Sequence, residues 1–293
     1  MWCKFSLIVA AAPFVLTGCG TSERPAAPEV VVTIEPLAMI LAELVGDSAQ
    51  VAALVPPGAS PHTYALRPSG ARMAESSSAL FYVDDHLDGW VAGVSAPRKF
   101  AVFESLPESL RKRRGNGTAD GDGHHAYNPH FWTDPLTVLE LVPFLIAALD
   151  EVDPEGRWIY ESKRDQFVFD LVRLDDEVEA LLEPLKGVAV IVHHPSWRYF
   201  LDRYGIETAA ILEPSPGKEP TPRYLKEVID TARAKGVQLI ISEPQLSSRP
   251  AEVVAEAAGL KIVELDPIGG AAGRKTYGDW LLENARKLRG AVQ

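Results

Sequence analysis

The chain has 293 residues, with 29 basic and 40 acidic side chains and a formal net charge of −11. So acidic a chain is poorly matched to nucleic acid or to anionic lipid surfaces, and better suited to attracting cations. Its two cysteines, Cys3 and Cys19, lie close to the N-terminus, so the body carries no disulfide and must be held by its core.

The first segment reads as an export signal. Lys4 is followed by a mostly apolar run over 5–16 and then by small residues. That run is too short to cross a bilayer as a helix. Leu16-Thr17-Gly18-Cys19 resembles the lipobox of bacterial lipoproteins. The resemblance implies cleavage before Cys19 and acylation of its thiol. Losing Lys4 with a signal over 1–18 would leave a net charge of −12. Residues 19–28 are small, polar and proline-rich, and read as a lipidated tether.

Order is expected from residue 29. Val30, Val31 and Val32 predict a buried strand. Pro36 opens a helix to about Val45, and Gly46 stops it. Strands follow over 51–55, 79–83 and 100–103, with a helix over 67–78. This alternation argues for a parallel sheet in an α/β layer fold. Residues 111–125 break it with a basic cluster, then Gly, Asn, Asp and His124-His125, and read as a surface loop. An apolar helix is expected over 135–149.

The clearest helix runs over 154–183. Tyr160, Phe167, Leu171, Leu174, Val178 and Leu181 succeed one another at steps of seven, four, three, four and three, which puts them on one face. Its length, roughly 40 Å, is too great for a crossover in a small sheet and suits a rod that joins two halves. Alternation then restarts, with strands over 188–192, 206–211, 237–241 and 261–265 and helices over 198–204, 222–235, 250–258 and 277–288. The expected divisions are an N-terminal lobe over 29–152, a linking helix over 153–186 and a C-terminal lobe over 187–293.

His62, His130, His194 and Asp266 stand where ligands are expected, beyond the carboxyl ends of strands. Two come from each half, so they could meet between the lobes. Three neutral imidazoles and a carboxylate suit a tetrahedral transition-metal dication, zinc above all. Calcium or magnesium calls for more oxygen. Spacing leaves open the alternative that each histidine is a separate cap or core residue, because no local motif joins positions so far apart.

The surrounding residues carry a resemblance. Pro57-Gly58-Ala59-Ser60-Pro61-His62-Thr63-Tyr64, Asn128-Pro129-His130-Phe131-Trp132 and His194-Pro195-Ser196-Trp197 resemble the ligand loops of the solute-binding protein 9 family. These are the zinc/manganese-binding lipoprotein receptors of bacterial ABC importers. Glu243-Pro244-Gln245-Leu246 and Leu265-Asp266-Pro267-Ile268-Gly269 match two further landmarks. The resemblance implies two α/β lobes, each with a mostly parallel sheet flanked by helices, joined by one rigid helix. It implies one buried cation on His62, His130, His194 and Asp266, and delivery to an ABC permease and its ATPase by a monomeric, membrane-anchored, non-enzymatic receptor. Histidine at the third position goes with zinc in that family, and a carboxylate there with manganese or iron. Zinc is therefore expected first and manganese second.

Some residues depart from that pattern or compete with it. His193 adjoins His194 and could replace it as a ligand; motif register favours His194. Glu243 is expected to hold a ligand loop or an imidazole N–H in place. Trp132 and Trp197 are expected to wall the site, His86 to be a surface or inter-element contact, and Glu213 and Glu219 to be solvated. Asp120, Asp122, His124 and His125 offer a weak metal-collecting loop. The rival readings are a lipid-anchored zinc hydrolase, with Glu243 as base, and an adhesin whose metal is structural. No His-Glu-x-x-His segment supports the hydrolase.

Overall fold

The computed structural model describes residues 29–113, 127–214, 217–270, 273 and 275–292. The expected signal, the tether with Cys19, and the His124-His125 pair lie outside them.

Two parallel four-stranded sheets form the frame. The first has the order β2-β1-β3-β4, from β1 (Glu29–Val32), β2 (Gln50–Ala53), β3 (Ala79–Tyr82) and β4 (Lys99–Ala101). The second has the order β6-β5-β7-β8, from β5 (Ala189–Val192), β6 (Glu207–Ile211), β7 (Leu239–Ser242) and β8 (Lys261–Glu264). The two halves thus repeat one winding. Parallel strands need crossovers, and helices supply most of them. In the first half these are α1 (Glu35–Val45) and α2 (Pro68–Ser76), followed by α3 (Pro135–Val152). In the second they are α5 (Arg198–Arg203), α6 (Pro222–Ala234) and α7 (Arg249–Ala258), with α8 (Tyr277–Ala291) closing the chain.

The strand sequences explain the layering. Successive side chains on a strand point to opposite faces. Val30 and Val32 enter the main core with α1, whereas Val31 joins a smaller outer cluster with Leu54, Ala74 and Leu80. In β5, Val190 and Val192 enter the main core, and Ile191 faces an outer cluster with Val228 and Val254. Both faces of these strands are buried, which is why their sequences are unbroken aliphatic runs.

The long helix α4 spans Arg157–Leu182, shorter at both ends than expected. Residues 154–156 form a separate turn, pinned by the Tyr160 hydroxyl donating to Asp153 Oδ2 at 2.6 Å. Pro184 lies in a 3-10 turn, Glu183–Leu185, that ends the rod. Tyr160, Phe167, Leu171, Leu174 and Val178 are buried as expected, but Leu182 and not Leu181 completes the face. A four-residue step from Val178 keeps the stripe on the same side of a helix with 3.6 residues per turn. The helix packs on α1 and α3 from the first half and on α8 from the second.

The seam between the halves is packed. One cluster contains Val32 and Phe81 from the first sheet together with Val192 and Ile241 from the second. Trp132 Nε1 donates to Pro267 O at 2.8 Å, and the Tyr277 hydroxyl donates to Trp132 O at 2.9 Å. Asp134 forms an ion pair with Arg203 across the same seam.

Candidate metal centre

His62 and His194 follow strands by short connections, whereas His130 stands just before a helix, 29 residues past the end of β4. His62 lies in a 3-10 turn, Pro61–Thr63, that follows β2 and the left-handed turn at Gly58 (φ 79°). His130 precedes the 3-10 turn Phe131–Thr133, which runs into α3. His194 comes just after β5, where the His193 amide still donates to Ile241 O at 2.8 Å and so extends the ladder.

These three imidazoles meet. Their ligand atoms all lie within 4.8 Å of one another. The Nε2 atoms of His62 and His130 are 3.3 Å apart. Two nitrogens bound at zinc–imidazole distance to one tetrahedral ion are separated by about 3.4 Å. Ring centroids are 5.4 Å apart for His62–His130 and 5.1 Å for each of the other two pairs. The space between them and Glu243, Gln245 and Ile268 is a cavity of about 20 Å³, large enough for one water-sized occupant. His130 and His194 are each 3 % exposed, and His62 is partly buried.

Two of the rings are oriented from behind. His194 Nδ1 lies 3.2 Å from the carbonyl of Glu213, which can only accept, so Nδ1 carries the proton and Nε2 offers a lone pair. His130 Nδ1 lies 2.8 Å from Asn128 Oδ1. Trp132 backs the His130 ring at 5.2 Å between centroids. Trp197, expected beside it as a wall, packs instead against Phe200 and Trp280.

Asp266 does not join the group. Its Oδ1 accepts from Gln245 Nε2 at 2.7 Å, Ile268 N at 3.1 Å and Gly269 N at 2.9 Å. The carboxylate therefore staples its own turn, which Gly269 closes at φ 74°. The structure departs here from the four-ligand expectation. Asp-Pro-x-Gly is turn chemistry, and that signal was available in the sequence.

The adjacent histidines divide. His193 is fully buried and faces Glu213, with 3.4 Å between Nε2 and Oε1. Burial holds its pKa below the ordinary histidine value, although Glu213 pulls the other way. Glu213 is 3 % exposed, which corrects the expectation that it is solvated. Its amide donates to His193 O at 2.7 Å, so the chain past β6 continues the ladder and carries the side chain inward. Glu219 is exposed as expected. Glu243 is buried, and its carboxylate accepts from the Ser196 hydroxyl. Burial pushes that carboxyl up to about 8, against the pull of Ser196. The His86 ring stands 6.2 Å from His62, outside the trio.

The family described as zinc-uptake complex component A, periplasmic (ZnuA) matches residues 30–291. The chain belongs to this family. The ZnuA family is one of metal-binding transport receptors, not enzymes. A putative metal-binding protein of Thermotoga maritima is 30 % identical over 271 residues, covering 90 % of this chain and 92 % of its own. The high-affinity zinc uptake system protein ZnuA of Brucella abortus is 27 % identical and covers 90 % of each chain. A crystal structure of ZnuA superposes with a TM-score of 0.78 at 27 % identity, covering 91 % of this chain and all of that one.

Beyond the ZnuA landmarks, sequence reasoning missed Asn128, Ser196 and Glu213. Asn128 carried a usable signal, since an Asn side chain two residues before another backbone N–H commonly accepts from it. Ser196 and Glu213 carried none, because their partners, Glu243 and His193, lie far along the chain past the ends of β7 and β5.

Proposed function

We propose that this chain captures one zinc ion outside the cytoplasm and delivers it to an ABC permease driven by its ATPase. The observation that carries the reading is the convergence of three imidazoles on a buried cavity of about 20 Å³. His62, His130 and His194 supply the nitrogen donors that zinc prefers over manganese. A cavity that small accepts a single ion and excludes an ester or peptide substrate, which argues against the hydrolase. Asp266 holds the loop after β8 in this reading and leaves the ion to the imidazoles. The lipid anchor at Cys19 is part of the proposal and rests on Leu16-Thr17-Gly18-Cys19 and the apolar run before it. The receptor acts as a monomer, with lobes over 29–152 and 187–293. Ligation needs neutral imidazoles, so acid should release the ion.

The test is competitive metal binding to the purified mature chain, with metal content read by mass spectrometry. One zinc per chain is expected, bound tighter than micromolar, with equal manganese failing to displace it. A free zinc concentration about 100-fold above Kd should add roughly 2.7 kcal/mol of stability, visible as a raised melting temperature. Absence of stoichiometric zinc after equilibration and desalting defeats the reading. Asp266→Asn should keep zinc stoichiometry and weaken binding less than His62→Ala. Equal losses from the two would return Asp266 to the ion.

A further inference from the structure

Asn128 is 2 % exposed, does not line the cavity, and is hydrogen-bonded at both ends of its side chain. Its Nδ2 donates to Pro195 O, the residue after His194, at 2.7 Å. Its Oδ1 accepts from the His130 amide at 2.9 Å and faces His130 Nδ1 at 2.8 Å. The main chain of Asn128 is tied down as well. Its amide donates to Lys112 O at 2.8 Å, and its carbonyl accepts from the Tyr199 hydroxyl at 3.2 Å.

These contacts fix where protons sit. A carbonyl oxygen can only accept, so the Asn128 atom facing Pro195 must be the NH₂ group. The other end is then an oxygen, and the His130 backbone N–H already points at it. Flipping the amide would set oxygen against oxygen at Pro195 and N–H against N–H at His130. Because Oδ1 accepts, His130 Nδ1 must carry its ring proton. The lone pair is left on Nε2, the atom 3.3 Å from His62 Nε2. A carbonyl in the second half of the chain thus dictates the tautomer of a ligand in the first half, through one amide.

We propose that Asn128 is a positioning residue for metal capture: it locks His130 in the tautomer that presents Nε2, and it clasps the His130 loop to the His194 loop. This rests on the zinc-receptor reading above. His194 is oriented by a backbone carbonyl, that of Glu213, which no substitution removes. His130 relies on a side chain, so its positioning can be deleted. Partners that orient a ligating histidine contribute about 10- to 100-fold to metal affinity.

The experiment has two readouts on the full mature chain. Zinc affinity is measured by chelator competition for the parent, Asn128→Ala and Asn128→Asp. The His130 tautomer is read without metal at pH 8, from long-range proton–nitrogen NMR of chain labelled at histidine, with His130→Gln giving the assignment. Asn128→Ala should bind zinc about 10- to 100-fold more weakly. Its His130 should lose the pure Nδ1–H signature that the parent shows. Asn128→Asp keeps an acceptor for Nδ1–H and should retain that signature, and it should bind zinc more tightly than Asn128→Ala. It also keeps the inference testable if the alanine variant fails to fold, because loss of the Nδ1–H signature there would overturn it. Unchanged zinc affinity in Asn128→Ala overturns the proposal. So does weakened affinity with the tautomer unmoved, because a merely structural role predicts that result. A parent chain that binds no zinc would defeat the receptor reading instead, and the metal-free tautomer would still decide the role of Asn128.

Discussion

Replacing His130 by alanine should lower zinc affinity by two to three orders of magnitude. Structural zinc sites with four ligands bind with roughly 10–16 kcal/mol, so one imidazole carries about 2.5–4 kcal/mol of it, and each 1.4 kcal/mol is tenfold. His130 is firmly placed, at 3 % exposure, with its Nδ1 held by Asn128 and its ring packed at a tilt on Trp132. Alanine removes the donor and leaves a gap that solvent fills without replacing the bond. His62→Ala and His194→Ala should behave alike, since all three ligand atoms share one space. The control is His86→Ala. Its ring is 6.2 Å from His62 but outside the trio, and its loss should cost less than about tenfold, or 1.4 kcal/mol. Chelator competition on the purified variants checks this. Equal losses from His86→Ala and His130→Ala would mean that the ion sits elsewhere.

Asp134→Ala should destabilise the chain by about 2–4 kcal/mol, because it removes a helix cap and takes the nearer carboxylate from a half-buried guanidinium. The Asp134 side chain is 3 % exposed. It caps α3 by accepting from Leu136 N at 3.0 Å, Thr137 N at 3.4 Å and the Thr137 hydroxyl at 2.8 Å. Its remaining partner is Arg203 on α5, in the other half of the chain. Arg203 would keep only Asp175, 3.8 Å away on α4. At roughly 2–4 °C per kcal/mol for a chain of this size, the melting temperature should fall by about 10 °C. Asp134→Asn can still cap the helix and should fall between the two. Thermal unfolding of the metal-free proteins measures this. A loss below about 1 kcal/mol, the range of an exposed ion pair, would show that the seam is held by packing alone.

The two predictions draw on different kinds of information. The histidines could be named from the chain because His62 and His194 follow strands, His130 precedes a helix, and the residues around all three match the family's ligand loops. Val30 to Val32 and Ala189 to Val192 are aliphatic runs that can hardly be anything but buried strands. The long helix was visible in the steps between Tyr160 and Val178. Its ends were blurred, because Pro154 suits both a first helical turn and the separate turn it forms. The cap that Asp134 makes was legible in principle, from an Asp directly before Pro135. Its ion pair with Arg203 was not, since nothing local connects residues 69 positions apart.

The site shows the same division. Residue type and place made His62, His130 and His194 candidates and favoured zinc for such a donor set, and the resemblance of their loops to the family's selected them. Residue type and place did not show that Asp266 Oδ1 is engaged by the amides of its own turn and by Gln245, and they misjudged Glu213, which looked like loop and is buried. The choice between His193 and His194 shows why. His194 shares strand parity with Val190 and Val192, which enter the core between the halves, and His193 shares that of Ile191, which faces outward. Both faces of β5 are buried, so hydropathy along the strand is the same on either side. The order of elements and the kinds of donor were therefore written in the chain itself. Which donors turn toward the cavity was decided by the second half packing on the first, because side-chain direction at a doubly buried strand is set by the layer it meets.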